Sequence, residues 1–159
     1  MFTLSREADY AVRVMVHMAS DVGERFQSKT LAKDENIPES FLFKILQTLI
    51  RHGVVRSYRG VGGGYQLAIE PARLSFYRLL EMVEGPLTLN LCVVSGTGCE
   101  FTEQCGVHDV WAVAQDQLRK TLEEVSIEEL ARNAQQKKNG LASIGNGLAL
   151  LGSQDRPAQ

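Results

Sequence analysis
Residues 37–71 read IPESFLFKILQTLIRHGVVRSYRGVGGGYQLAIEP, and within this one stretch the spacing of apolar residues changes from helical to alternating. Leu42, Ile45, Leu46, Leu49 and Ile50 fall on one stripe of a helix that Pro38 opens and Gly53 stops. After Gly53, VVRSYR and YQLAIE read as two strands joined by GVGGG, with Val55, Ser57 and Arg59 alternating in direction along the first. A helix that runs directly into a glycine-rich hairpin has the order of a reading helix followed by a wing.

The flanking sequence supports that reading. Ser28 is a plausible N-cap for a short helix through LAKDEN, and two helices a few residues apart make a helix-turn-helix pattern. Upstream, Ala11, Val14, Met15, Met18 and Ala19 recur with helical spacing after Ser5, which predicts a first helix from about 5 to 21. Downstream, Pro71 closes the hairpin and FYRLLEMVEG (76–85) gives a fourth helix. Val107, Trp111, Ala114, Leu118, Leu122 and Val125 then follow at mostly alternating steps of four and three, the seam of a helix that pairs with another. Trp111 reads as part of a dimer core on that spacing. A last helix begins at Ser126, where Glu129 completes a capping box. The expected fold is mainly α with a small β-wing. Residues 1–84 form a winged helix-turn-helix domain, 85–106 a cysteine-containing loop, 107–136 a long dimerisation helix with the helix that follows, and 137–159 a disordered tail.

A chain of 159 residues with 44% hydrophobic content can bury one core without staples. Its three thiols are an odd number, MFTLSREADYAV lacks the basic-then-apolar pattern of a secretory signal, and YAVRVMVHMA is too short to span a bilayer. A soluble, cytoplasmic protein is expected. The net charge of -2 conceals a division: residues 25–78 carry nine Lys or Arg against four Asp or Glu, and residues 79–136 carry three against ten. The basic segment coincides with the helix-turn-helix and wing, so it is suited to a polyanion.

On the reading helix the outward set includes Glu39, Ser40, Phe43, Lys44 and Gln47. Lys44 is suited to guanine acceptors, Ser40 to a base or phosphate, and Phe43 to a thymine methyl. Ser28, Lys29, Arg51, Arg56, Ser57 and Arg59 complete the candidate DNA contacts, with Arg59 aimed at a minor groove. GVGGGY is not a nucleotide loop, because it matches neither G-x-x-x-x-G-K-[ST] nor G-x-G-x-x-G. Beyond Cys and His ligands there is no acid-base or nucleophile constellation, so no enzyme is expected.

Every cysteine lies in LCVVSGTGCEFTEQCGVHDVW, residues 91–111. Cys92, Cys99 and Cys105 are spaced C-x6-C-x5-C with intervening glycines that let the backbone fold around a soft metal, and His108 is a nearby fourth donor. Paired C-x2-4-C knuckles of zinc sites are absent, and the looser spacing suits an iron-sulfur cluster. A thiol-disulfide sensor using two of the three, zinc, or three unliganded thiols remain open on the residues alone.

The run from Ile37 to Pro71, followed by three clustered cysteines and a long helix, resembles the Rrf2 family of bacterial transcription regulators, the iron-sulfur repressors of the IscR and NsrR kind. The resemblance covers residues 1 to about 135, and RGVGGGYQL is its most specific part. It implies a winged-helix homodimer that binds a 2Fe-2S cluster, in some members 4Fe-4S, through three cysteines. The state of that cluster, which senses redox state, iron supply or nitric oxide, would control binding to double-stranded DNA at a palindromic operator. Cys92, Cys99 and Cys105 would be the ligands. His108 falls where IscR-like members have a histidine ligand, and Asp9, just before Tyr10-Ala11-Val12, where NsrR-like members take an aspartate from the partner subunit. Phe43 stands where a polar residue is often found on the reading helix. The alternative is a thiol-disulfide or zinc-dependent winged-helix protein acting through protein contacts.

Overall fold
The computed structural model of the chain describes residues 3–94 and 99–140. Helix α1, Arg6–Ser20, starts as its sequence dictates: the Ser5 side chain accepts a hydrogen bond from the Ala8 amide at 3.1 Å. Its stripe of Ala11, Val14, Met15 and Met18 is fully buried. Helix α2, Ser28–Asp34, differs from expectation at its start, because Ser28 is the first helical residue and not the cap. Gln27 precedes it without a capping bond, since its side-chain amide is spent on the Gly63 carbonyl of the wing.

Helix α3, Glu39–Arg51, buries Leu42, Ile45, Leu46 and Leu49 and leaves Ile50 half-buried, as its periodicity predicts. Gly53 then takes a left-handed φ of 72°, and its amide and that of Val54 close onto the carbonyls of Ile50 and Leu49. The two strands, β1 (Val55–Tyr58) and β2 (Gly64–Leu67), are antiparallel, with Val55 opposite Leu67 and Tyr58 opposite Gly64. They are shorter than the sequence runs, and burial does not follow the alternation of side chains along them. Only Val55 is buried, Arg56 and Ser57 are both exposed, and Arg59 belongs to the turn. One face of a two-stranded wing has little beneath it, so the two faces differ little in burial.

A short 3-10 turn at Pro71–Arg73 leads to α4, Phe76–Glu84, capped by Ser75, whose hydroxyl accepts from the Arg78 amide at 3.2 Å. Two further helices follow the cysteine loop: α5, His108–Glu123, and α6, Ile127–Lys138. Helix α6 carries its predicted cap, with the Ser126 hydroxyl accepting from the Glu129 amide at 3.1 Å. Residues 141–159, most of the segment expected to be disordered, lie outside the described residues.

One core joins α1, α2, α3, the start of β1, Leu74, Leu79 and two residues of α6, Ile127 and Ala131. By its packing, α6 therefore belongs with the N-terminal elements. The strand-like exchange of Phe76 N to Val125 O (2.7 Å) and Ile127 N to Leu74 O (2.9 Å) fixes it there. Val125 is thus placed in this turn and not on the seam of α5, which ends two residues earlier. A second cluster of Ala8, Tyr77, Leu80 and Leu87 receives Leu122 of α5.

Candidate nucleic-acid interface and cysteine loop
The reading face is built by the same periodicity that builds the core. With Leu42, Ile45, Leu46 and Leu49 inside, Ser40, Phe43, Lys44, Gln47 and Arg51 must face outward, and all five are exposed. The Arg51 guanidinium donates to Thr48 Oγ1 at 3.0 Å, which steadies it in the last turn. Lys29, Arg56, Ser57 and Arg59 are exposed and Ser28 is half-buried. The wing tip carries Val61 fully in solvent.

Five contacts absent from the sequence reading hold the wing in place. Phe26 pairs with Tyr65 as a bridge. The Arg25 guanidinium stacks 4.1 Å from the centroid of the Tyr58 ring, and its Nη1 lies 3.4 Å from the Gly62 carbonyl. Gln27 donates to Gly63 O and Gln66 to Gly23 O. Arg25 lies in the basic segment; its charge was legible, its stacking partner was not. Behind the reading helix, Arg13 and His17 of α1 converge on Glu35, with Arg13 Nε 3.4 Å from Oε2 and His17 Nδ1 2.7 Å from Oε1. His17 also meets Phe26 edge-on, so it is a packing residue.

The cysteine loop connects α4 to α5. Cys92 is half-buried, whereas Cys99 and Cys105 are exposed, and all three thiols are free. Cys92 and His108 line one cleft of about 390 Å³ with Val93, Ala112, Gln115 and Arg119. Among the described residues, His108 Nδ1 is a buried atom with no hydrogen-bond partner. An imidazole nitrogen withdrawn from water and left unpaired is a donor kept available for another ligand. Asp9 is far more open, with its side chain 64% exposed and 3.9 Å from Arg13 Nη1. Among the described residues, no three His, Cys, Asp or Glu side chains are gathered to hold a metal. The structure thus brings Cys92 and His108 to one cleft and leaves Cys99, Cys105 and Asp9 apart from it.

Helix α5 buries none of its residues within the chain. Trp111, Ala114, Leu118 and Leu122 of the predicted seam are half-buried, and Val107 is exposed. Part of this seam is occupied internally, because Leu122 docks on the Tyr77 cluster and Gln115 bonds to the segment after α4. The open apolar row is Val107, Val110 and Val113, at 54%, 63% and 62% exposure. Val110 and Val113 were missed because they sit off the four-three rhythm, at plain steps of three.

The chain matches the family Rrf2, whose description is "Iron-dependent Transcriptional regulator", over residues 4–133. It is 33% identical to the Mycobacterium tuberculosis protein Rv1287, described as an HTH-type transcriptional regulator, over 82% of each chain. It is 31% identical to slr0846 of Synechocystis, likewise described, over 93% of this chain and 98% of that one. Among solved structures, it is similar to CymR, the global cysteine regulator of Bacillus subtilis, with a TM-score of 0.69 and 26% identity over 83% of this chain and 98% of that one. The IscR of T. potens shares the fold at a TM-score of 0.67 and 22% identity, over 91% of this chain and 94% of that one.

Proposed function
The chain belongs to the Rrf2 family of transcriptional regulators, and from that premise we propose that it is a homodimeric repressor whose hold on operator DNA is set by an iron-sulfur cluster on the loop between α4 and α5. The observation that carries the cluster reading is the unpartnered Nδ1 of His108 in the cleft it shares with Cys92. Three free cysteines and one imidazole are a donor set of the right chemistry for a 2Fe-2S centre, with 4Fe-4S as the other nuclearity. When bound, the cluster supplies a redox- and ligand-sensitive tie between Cys92, Cys99 and Cys105. The chain supplies the consequence of that tie. The loop ends at His108, the first residue of α5, so fixing or freeing it changes the start of the helix expected to pair two subunits. That change alters DNA binding only if it alters the placement of the two reading helices.

Pairing through α5 follows from the exposed row of Val107, Val110 and Val113, which a two-fold mate would cover. Sedimentation of the purified protein tests it. The two reading helices would then enter the major groove about 34 to 36 Å apart, reading a palindrome.

The deciding experiment is anaerobic purification followed by absorption spectroscopy and iron and sulfide analysis of the wild type and the Cys92→Ala, Cys99→Ala and Cys105→Ala variants. Colour and iron in the wild type, absent from each variant, support the cluster; a colourless, iron-free wild type removes it. His108→Ala and Asp9→Ala, measured the same way, identify the fourth ligand. A second reading, control by pairing of two thiols under an oxidant, draws support from the exposure of Cys99 and Cys105 and the likeness to a cysteine regulator. It predicts iron-free protein in which two thiols become protected from alkylation on oxidation.

A further inference from the structure
One member of the outward stripe of α3 is already engaged. Lys44 Nζ lies 2.7 Å from Oε2 of Glu7, across from α1. Glu7 is the enclosed partner, its side chain 20% exposed against 68% for Lys44, so the carboxylate is the fixed member and the ammonium the mobile one. A second contact runs beside the first: the rings of Tyr10 and Phe41 meet edge-on at 5.9 Å. Glu7 and Tyr10 are one turn apart on α1, as are Phe41 and Lys44 on α3, so the two contacts are adjacent rungs between the helices.

We propose that Glu7 is a specificity-determining residue for DNA binding, acting through Lys44. The inference rests on the reading of α3 as the DNA-reading helix. What a lysine gives to DNA of any sequence is charge and the counterions it releases; paired with a carboxylate, it has no net charge to give. What it gives at a chosen base is directed donors. An ammonium has three N–H donors, of which Glu7 takes one, leaving two for guanine O6 and N7. Glu7 therefore subtracts from binding to random sequence and leaves a correctly placed guanine contact intact. A plainer role exists, since a carboxylate in the first turn of α1 favours the helix dipole. That role affects stability and leaves salt dependence alone.

The test compares wild type, Glu7→Gln, Lys44→Ala and the double variant on two duplexes across a salt series: one of random sequence, and the site the wild type enriches from a random pool. Glu7→Gln is expected to bind the random duplex several-fold more tightly, up to about eight-fold per subunit at 0.1 M salt, with a log-log slope steeper by about 0.9 per subunit. Its affinity for the enriched site rises by a smaller factor, so discrimination falls. In the Lys44→Ala background the same change has no effect. An unchanged salt slope in Glu7→Gln, or an equal gain without Lys44, overturns the inference and leaves the DNA reading intact. A wild type that binds neither duplex overturns that reading itself.

Discussion

Phe26 and Tyr65 exchange both of their backbone hydrogen bonds, N to O at 2.8 and 2.9 Å, so the segment before α2 acts as a third strand on the open side of β2. With Arg25 reaching the Gly62 carbonyl and Gln27 the Gly63 carbonyl, the segment before α2 holds the turn end of the wing along its β2 edge. Its stiffness comes from the residues between α1 and α2, which also start the helix-turn-helix.

Gly64 sits where the Phe26 segment meets β2. A Cβ there would stand 2.7 Å from the Phe26 carbonyl oxygen, and its φ of +140° disfavours any side chain. Gly64→Ala is expected to lower stability by about 1–3 kcal/mol through backbone strain and loss of the bridge. Gly62→Ala, with a φ of +77° but open space around it, serves as the comparison and is expected to cost less. Thermal unfolding of the two variants ranks them; equal losses would show that the bridge contributes nothing.

Arg25 and Arg59 separate positioning from charge. Arg25→Lys keeps the charge but forfeits the planar stack on Tyr58 and the fork that reaches Gly62. DNA affinity is expected to fall with the salt slope nearly unchanged. Arg59→Ala removes a cation in the turn and is expected to flatten the slope by about 0.9 for each phosphate that this side chain neutralises. Titrations of both variants over a salt series check the contrast, and a flattened slope in Arg25→Lys would mean that Arg25 itself binds a phosphate.

Ile127 is fully buried in the same core as Met15 and Leu46, although it lies beyond the cysteine loop. Ile127→Ala is expected to cost about 2–5 kcal/mol, the range for truncating a well-packed aliphatic side chain. Denaturant unfolding measures it. A loss near zero would mean that α6 is not part of the core.

Tyr77 has a phenol whose pKa is raised above its ordinary value, first by burial and then by the neighbouring Glu81 carboxylate, against a smaller lowering by Arg119. The folded protein then holds this proton more tightly than the unfolded chain does. The stabilisation is complete below pH 10, the unfolded value, and is lost as pH rises toward the higher folded one. Tyr77→Phe is expected to leave unfolding near pH 7 little changed and to weaken the loss of stability above pH 10. Unfolding curves for both proteins at neutral and alkaline pH decide it.

The helix-turn-helix was legible because its signals are local: Leu42, Ile45, Leu46 and Leu49 on one stripe, and Gly53 at its end. The limits of the wing were not. Where pairing stops depends on which backbone groups find partners, and Phe26 cannot be read as the partner of Tyr65 from a distance of 39 residues. The packing of α5 was hidden for a related reason. Its rhythm marks apolar residues, yet only packing tells that Leu122 is claimed by Tyr77 and that Val110 and Val113 stay open. The cysteines stand together in one loop of the sequence, but convergence of thiols is a property of loop conformation, which spacing does not determine. The Glu7–Lys44 pair gives no signal in sequence, since each residue reads as an ordinary surface charge.

The side chain of Gln115 holds two backbone groups at once, donating to Leu87 O and accepting from Leu89 N, both at 2.8 Å. The chain is thereby clamped to the middle of α5 just before the cysteines begin, and α5 itself starts at His108, three residues past the last of them. The segment that carries the cysteines thus runs from the Gln115 clamp to the first residue of α5. Lengthening such a segment costs only about 0.6 kcal/mol per doubling, and the Gln115 clamp holds the end of the α4 connection against α5 on the near side of any such change. Cysteine number, spacing and the chemistry they serve can therefore be exchanged on this scaffold while the DNA-reading half is left as it stands, which makes transplanting a foreign sensing loop between Leu89 and His108 a practical route to regulators with new inputs.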